Sequence, residues 1–274
     1  MIHEEAWVDN IDSGEVKSRN RAYLSSSVLK ALDMLLCFEK DGEEISLSDF
    51  QRRVGIRGSM AHRLASTLRH AGFLEQNSES GRYRLGLKIL ELTRLVLNGI
   101  PLRRLALPHL TTLAEKTGGN ANLSIRVDDT VLYLARVPSP RIQDTYFHTG
   151  RKAGLHCTAL GKILLAFLPS GERDRVVKGL RMEPHTPNTI TDPDELLAHL
   201  DDVRRTGFAT DREEFMVGSH CIAAPIRGPE GVTIGAISIS TTLLDMSHEQ
   251  LRERLPVLLE AARATSSSMG SHLP

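Results

Sequence analysis

VGIRGSMAHRLASTLRHAGFLEQNSESGRYRLG, residues Val54–Gly86, contains the clearest helix and turn signals in the amino-terminal part of the chain. Its apolar residues Ala61, Leu64 and Leu68 recur at the spacing that places them on one face of a helix. The pattern predicts a helix over Gly58–His70, and the glycine two residues later is typical of a helix end. Polar and cationic side chains occupy the opposite face, which we expect to be exposed.

A hairpin is predicted directly after this helix. Two short strand-like runs, Phe73–Glu75 and Arg82–Leu85, flank the polar loop Gln76–Gly81. A hairpin in this position is the wing of a winged helix-turn-helix.

Two shorter helices are predicted before it. Ser25–Ser27 offer N-caps for a helix that ends near Phe38. Ser46–Asp49 fit a capping box that starts a second helix, and Gly55 ends it. Helix, turn, helix and hairpin in this order predict a winged helix-turn-helix domain.

Positive charge is concentrated in this region. Between Phe50 and Leu85 there are seven arginines and two glutamates, although the whole chain has 34 basic and 34 acidic residues. For any single arginine, an ordinary solvent-exposed position is the simplest interpretation. Here, however, basic residues occur in the arm before the first helix (Arg19 and Arg21), in the helix Gly58–His70 and in the wing. Together they favour double-stranded DNA as the partner, with Gly58–His70 as the recognition helix. The candidate DNA-contacting residues are Arg19, Arg21, Arg57, Ser59, Met60, His62, Arg63, Arg69, Arg82 and Arg84.

The following segment predicts a linker helix. Leu85, Ile89, Leu92 and Val96 recur at helical spacing and form more apolar surface than a lone linker needs, so we expect it to pack on a partner chain. The predicted segments are an arm (1–23), the winged helix-turn-helix (24–86), the linker helix (87–99) and a second domain (100–274).

The second domain is predicted to be α+β with an antiparallel sheet. A helix over Pro101–Thr117 precedes two strands, Asn122–Val127 and Thr130–Val137, joined by an Asp-Asp turn. Further helices are predicted over Thr158–Phe167, Gly171–Leu180 and Pro193–Arg205, strands over Gly207–Arg212, Cys221–Ile226 and Thr233–Ser240, and a final helix over Ser247–Ser268.

Composition excludes several classes of protein. The chain starts with an acidic, polar segment, and no apolar run reaches the ~18 residues of a membrane span, so we expect a cytoplasmic protein with no membrane partner. Its three cysteines, Cys37, Cys157 and Cys221, form no CxxC pair, so neither a disulfide framework nor a structural zinc site is indicated.

Two further stretches carry a family resemblance. GLHCTALGKILLAFLP (Gly154–Pro169) and TGFATDREEFMVGSHCIAAPIRGPEGVTIGAISIS (Thr206–Ser240), together with the winged module, resemble the IclR (isocitrate lyase regulator) family of bacterial transcription factors. The resemblance implies a ligand-responsive regulator whose GAF-like effector domain binds a small organic acid. It also implies a homodimer or homotetramer on a near-palindromic operator, without a cofactor. Repression and activation both stay open.

The resemblance implies an effector pocket formed by Ala159, Leu160, Asp211, Cys221, Ser238 and Ser240. Thr158 is a plausible N-cap, which leaves the amides of Ala159 and Leu160 as donors for a carboxylate. The two serines are two apart on a strand and therefore share a face. Asp211 repels an anion unless it is protonated or accepts from a ligand hydroxyl, so a hydroxylated acid fits best. Each of these residues could instead serve only core packing or a solvated turn.

Other interpretations concern the pocket lining and the recognition helix. Candidates for an apolar lining, which core packing explains equally well, are Tyr133, Phe147, His148, Phe208, Phe215 and Met216. Where the family often has Lys-Ser-Thr in the recognition helix, this chain has Gly58-Ser59-Met60, so a phosphate-binding cation is missing. We therefore expect affinity to depend more on Arg57, Arg63 and the wing.

Two alternatives give the second domain a different chemistry. A hydrolase-like enzyme would use Cys221 as nucleophile with His156 or His220 as base. His220 is the sequence neighbour of Cys221, and neighbouring side chains on a strand point to opposite faces, which counts against this pair. A metal could bind His156-Cys157 with Cys221, yet no paired ligand motif supports it. We therefore predict no catalytic residue and no metal.

Overall fold

The computed structural model describes residues 24–139 and 148–271, and the chain divides into two compact units after Gly99. Each unit has its own core. No helix in the described part of the chain is long and apolar enough to cross a membrane.

Three helices build the first unit as the sequence predicts. They are α1 (Ser26–Leu36), α2 (Leu47–Val54) and α3 (Gly58–His70). The Ser46 hydroxyl caps α2 by accepting from the Asp49 amide at 3.1 Å. Gly55 ends α2 at a φ of 69°, a left-handed conformation that glycine adopts without strain.

The wing consists of β1 (Leu74–Gln76) and β2 (Tyr83–Leu85), which pair antiparallel. An isolated bridge from Ile45 to Tyr83 joins the α1–α2 connection to the wing. Phe50 and Tyr83 pack with their ring centroids 5.9 Å apart, so α2 and β2 share one core.

α4 (Lys88–Gly99) follows the wing, and none of its residues is buried by the part of the chain that the structure describes. Its leucines Leu90 and Leu95 are exposed, as are Leu32 and Leu36 of α1. These two helices therefore present apolar surface that residues 24–139 and 148–271 leave uncovered.

The second unit is a six-stranded antiparallel sheet with helices on both faces. The strand order is β5-β4-β3-β8-β7-β6. The elements are α5 (Pro101–Thr117), β3 (Asn120–Val127), β4 (Thr130–Val137), β5 (Lys152–Gly154), α6 (Ala159–Ala166), α7 (Ser170–Gly179), α8 (Pro193–Thr206), β6 (Ala209–Arg212), β7 (Ser219–Arg227), β8 (Thr233–Thr242), α9 (His248–Glu253) and α10 (Leu255–Ser268).

The side chains of β7 alternate between two separate cores. Ile222 and Ala224 pack in the core that includes α5 and α10, whereas Ala223 and Cys221 pack in the core that includes α6 and α8. The face toward α6 therefore carries the residues of the predicted effector pocket.

The prediction of the second unit was wrong in one element and incomplete in another. The single helix predicted over Ser247–Ser268 is two helices that meet at Arg254, because Pro256 lacks the N–H that would continue the ladder. The three-residue strand β5 was missed, since so short a run shows no periodicity.

Candidate functional site

The outer face of α3 is open. Ser59, His62 and Arg63 are exposed there, and Arg57 is exposed at the N-cap position. Within the described residues no hydrogen bond or ion pair holds the side chain of Arg57 or Arg63. Both guanidinium groups are therefore available to an anionic partner.

The other three candidate arginines that the structure describes, Arg69, Arg82 and Arg84, have partners inside the first unit. Arg82 donates from Nε and Nη2 to the Glu44 carbonyl oxygen at 3.1 and 2.9 Å. Arg84 pairs with Glu75 across the wing at 2.8 Å, and Arg69 donates to Gln76 at the same distance. These side chains brace the wing as well as adding charge, a distinction that the sequence analysis did not make.

Met60 differs from its neighbours on α3. It is half-buried and packs on the core of the first unit, and the Lys30 ammonium lies 3.7 Å from its sulfur. A cation from α1 therefore lies beside Met60, the position where the family often has a threonine. Arg19, Arg21 and Phe147 lie outside the described residues.

The amino end of α6 has backbone amides that no carbonyl of the same helix accepts from. The Thr158 hydroxyl accepts from the Gly161 amide at 3.0 Å, as expected of an N-cap. That bond leaves Ala159 and Leu160 at the two preceding helical positions, whose amides have no intrahelical partner. The Ala159 amide lies within hydrogen-bonding reach of the Cys221 sulfur.

The side-chain part of the predicted pocket is one patch of the sheet. Asp211 pairs with Cys221, and Cys221 pairs with Ser240, so three predicted residues form a single row across β6, β7 and β8. Ser238 lies in the next row on the same face. The structure thus brings all four side chains together.

This patch extends onto β3, which the sequence analysis missed. Asn122 pairs with Ser238 in register, and its Nδ2 donates to the hydroxyls of Ser238 and Ser240 at 3.2 and 3.1 Å. Asn120 and Ser124 are buried beside it. The signal was the alternation of polar residues 120, 122, 124 and 126 with apolar residues 121, 123, 125 and 127.

Three polar atoms in this patch are buried without a partner among the described residues. They are Asn120 Nδ2, Asn122 Oδ1 and Ser124 Oγ. An unpaired buried polar atom is costly, and a bound polar ligand or water removes that cost. One amide donor, one amide acceptor and one hydroxyl, which can donate or accept, therefore lie on the α6 side of the sheet.

Asp211 is the charged group of the patch. It is 5% exposed, and its Oδ1 accepts from the Glu214 amide at 2.8 Å. Burial, and after it the nearby Glu214 carboxylate, raise the pKa of Asp211 to about 7. Near neutral pH this group can therefore take up a proton and become a hydrogen-bond donor.

A buried ion pair holds the loop beyond Asp211. Lys162 of α6 is fully buried and binds both oxygens of Glu214, at 2.6 and 2.8 Å. The pair connects α6 to the segment that follows β6, so the backbone donors and Asp211 are held in one framework.

The residues predicted to form an apolar lining of the pocket lie in different parts of the second unit. Tyr133 is opposite Ser124 in register and nearly fully buried, and burial, Cys221 and Asp211 raise the pKa of its hydroxyl well above the ordinary value. Phe215 packs in the same core. His148 is exposed, and Phe208 lines a cavity of about 200 Å³ along the β6 edge that also reaches Asp211 and Cys221.

The geometry does not favour a nucleophilic Cys221. Burial, and then Asp211, raise the pKa of its thiol well above the ordinary value, which disfavours the thiolate. His220 points to the opposite face and its Nδ1 lies 2.8 Å from Nδ1 of His248, while His156 Nε2 lies 3.0 Å from the Glu183 carbonyl oxygen. Neither histidine is thus arranged as its base.

Comparison with known protein families decides the class of the chain. Residues 94–267 match the family described as bacterial transcriptional regulator IclR C-terminal, and residues 27–78 match the IclR helix-turn-helix domain. The chain belongs to the IclR family. It is therefore a transcriptional regulator with a helix-turn-helix domain and a ligand-binding carboxy-terminal domain.

Individual IclR relatives agree with this assignment. The HTH-type transcriptional regulator KdgR of Escherichia coli is 34% identical over 247 residues, which cover 90% of this chain and 94% of that protein. A regulator from Rhodococcus sp. RHA1 has a similar crystal structure, with a TM-score of 0.81, 31% identity, and 90% and 98% of the two chains covered.

An IclR homolog from Microbacterium hydrocarbonoxydans, crystallised with 4-hydroxybenzoate, is also similar in structure. Its TM-score is 0.77 at 26% identity, with 89% of this chain and 99% of that chain covered. The curated relatives bear names of regulators, so the hydrolase-like alternative for this chain is set aside.

Proposed function

We propose that this IclR-family regulator binds a near-palindromic operator through α3 and the wing. The support is the exposed polar face of α3, where the side chains of Arg57 and Arg63 have no partner among the described residues and Ser59 and His62 lie beside them. These side-chain types bind phosphates and base edges in a major groove. Arg82 and Arg84 orient the wing against the backbone of the adjacent DNA.

The operator is bound by two chains. The exposed leucines of α1 and α4 supply apolar surface for a second copy, in a homodimer or a pair of dimers. Two recognition helices then occupy half-sites about one duplex turn, ~34 Å, apart.

The effector is a small organic acid that carries a hydroxyl. Its carboxylate binds the amides of Ala159 and Leu160 at the amino end of α6, where the helix dipole favours an anion. Its hydroxyl binds Asp211 and the serine-asparagine patch. The homolog crystallised with a hydroxybenzoate supports a hydroxylated acid as the ligand class.

Effector binding changes operator affinity through two states of the regulator. The change equals the difference between the effector's affinities for the two states, typically ~1–3 kcal/mol. The observation that carries the proposal is the set of buried polar atoms on the α6 side of the sheet that have no partner among the described residues.

The DNA half is tested with the double variant Arg57→Ala, Arg63→Ala on a fragment of the gene's own promoter. We expect its affinity to fall at least tenfold at fixed salt and the salt slope to become shallower, because two phosphate contacts are lost. Arg205→Ala, an exposed arginine of α8 paired with Asp202, is the matched control and keeps wild-type affinity. Equal affinities for all three proteins would exclude α3 as the contact.

The effector half is tested by thermal shift with glyoxylate, D-lactate, D-glycerate and 4-hydroxybenzoate. A ligand at 100 times its Kd adds about 2.7 kcal/mol to the free energy of unfolding. We expect Ser238→Ala to weaken the acids that stabilise the wild type. An unchanged shift in that variant would place the acid elsewhere.

A further inference from the structure

We propose that His156, Cys157 and His185 bind one thiophilic divalent metal ion, of which Zn²⁺ is the natural candidate. One ligand atom from each residue lies within 4.8 Å of the other two. Metal bonds of about 2.0 Å to nitrogen and 2.3 Å to sulfur require the donors to close by about 1 Å. The site combines the turn before α6 with the connection between α7 and α8.

His156 is held in the tautomer that a metal requires. Its Nε2 lies 3.0 Å from the Glu183 carbonyl oxygen, so Nε2 carries the proton and donates. Nδ1 is then the basic nitrogen. A ligating histidine whose other nitrogen donates to a backbone carbonyl is the usual outer-shell arrangement of metal sites.

Gly154 keeps the space between the first two ligands free. A Cβ at this position would lie 2.7 Å from Cys157 Sγ and 3.1 Å from His156 Nδ1. The thiol and the imidazole nitrogen therefore border the same small volume, and only glycine leaves that volume open.

The third ligand comes from a braced loop. The Thr189 hydroxyl accepts from the His185 amide at 3.0 Å and donates to the Glu214 carbonyl oxygen at 2.6 Å. The His185 ring lies 6.0 Å from that of His156 and 5.1 Å from that of Phe215. His185 is exposed whereas the other two ligands are buried, so the ion enters from solvent and retains water in a fourth position.

The donor set selects the metal. One thiolate and two imidazoles suit Zn²⁺ or Co²⁺, whereas Mg²⁺ and Ca²⁺ require oxygen ligands. Binding replaces the thiol proton, which is released to solvent, and forms one metal–sulfur and two metal–nitrogen bonds. The sequence alternative that paired His156-Cys157 with Cys221 is replaced here by His185.

The site adjoins the proposed effector pocket. Cys157 directly precedes Thr158, the N-cap of α6, so a bound ion restrains the turn that presents the Ala159 and Leu160 amides. This consequence depends on the proposed function. The metal site itself does not.

The test is a titration of the metal-stripped, reduced full-length protein with Co²⁺, without DNA or effector. We expect one Co²⁺ per chain, a sulfur-to-cobalt charge-transfer band in the near ultraviolet, and displacement by Zn²⁺. His185→Ala, at an exposed position, and Cys157→Ser are expected to weaken binding at least tenfold, and Cys157→Ser to lose the band.

Three controls make the result decisive. Cys37→Ser removes a distant thiol, Cys221→Ser removes the thiol of the alternative site, and His248→Ala removes a histidine of a different pair; all three keep the band. A wild-type protein without the band, or a band that survives in Cys157→Ser or disappears in Cys221→Ser, overturns the proposal. Failure of operator or acid binding leaves this result unaffected, so the two proposals are tested separately.

Discussion

Asp211 shows how one buried carboxyl makes the molecule sensitive to pH. Its pKa rises from 3.8 in the unfolded chain to about 7 in the folded protein, because burial and Glu214 oppose its charge. The neighbouring Lys162, which opposes this shift, is committed to Glu214. The folded state therefore binds the extra proton between these two pH values, and stability is lost as the pH rises through about 7.

Asp211→Asn is expected to remove this pH dependence. The amide oxygen still accepts from the Glu214 N–H, but no charge has to be buried at high pH. At pH 8 the variant should exceed the wild type in free energy of unfolding by a few kcal/mol, and the two should converge below pH 4. Denaturant unfolding across pH 4–8 measures this. Parallel curves for both proteins would contradict it; Asp202→Asn, at an exposed position, serves as the neutral control.

Asn122 is expected to distinguish hydroxylated acids from their deoxy analogues. Asn122→Ala removes the donor that orients the Ser238 and Ser240 hydroxyls. Binding of D-glycerate should weaken about 5- to 30-fold, the loss of about 1–2 kcal/mol expected for a buried hydrogen-bonded group. D-Lactate, which lacks one hydroxyl, should weaken less. Calorimetric titration of wild type and variant with both acids gives the two losses of affinity. An equal loss for D-glycerate and D-lactate would show that Asn122 does not contact the additional hydroxyl.

At the level of elements, the wing depends on an arginine that also adds charge. Arg82 connects β2 to the carbonyl of Glu44, outside the hairpin. Arg82→Ala should therefore lower the free energy of unfolding of the first unit by about 1 kcal/mol and weaken DNA binding, whereas Arg63→Ala should weaken DNA binding alone. Thermal unfolding beside operator titration separates the two effects. Equal Tm values for both variants would show that Arg82 contributes charge only.

Helices and strands were predicted well where a pattern within one segment determines their bounds. The capping serine, the glycine stop and the apolar stripe are local signals, so α2 and α3 have the predicted bounds. β5 depends on pairing with β4 rather than on its own residues. Pro256 indicates the helix break at Arg254, but the apolar periodicity continues on both sides of it and led to the prediction of a single helix.

For the whole molecule, the uncovered leucines of α4 predict assembly. The double variant Leu90→Glu, Leu95→Glu should reduce the oligomer mass by at least half, since two charges enter an apolar contact. Light scattering on a sizing column measures the mass. Val232→Glu, at a similarly exposed apolar position in the second unit, should leave it unchanged. A double variant of unchanged mass would exclude α4 from the interface.

Local sequence patterns predicted most of the helices and strands and the winged domain, and the family resemblance supplied the four predicted pocket residues on β6, β7 and β8. Helix periodicity, caps and strand alternation depend on a few neighbouring residues and can therefore be recognised in the sequence. Three findings came from the tertiary structure alone. They are the partners of the wing arginines, the hydrogen bonds of Asn122 to Ser238 and Ser240, and the proximity of His185 to His156 and Cys157. The contacts of Asn122 with the serines and of His185 with His156 and Cys157 join residues 28 to 118 positions apart, where chain order carries no information about distance and only the tertiary fold brings them together.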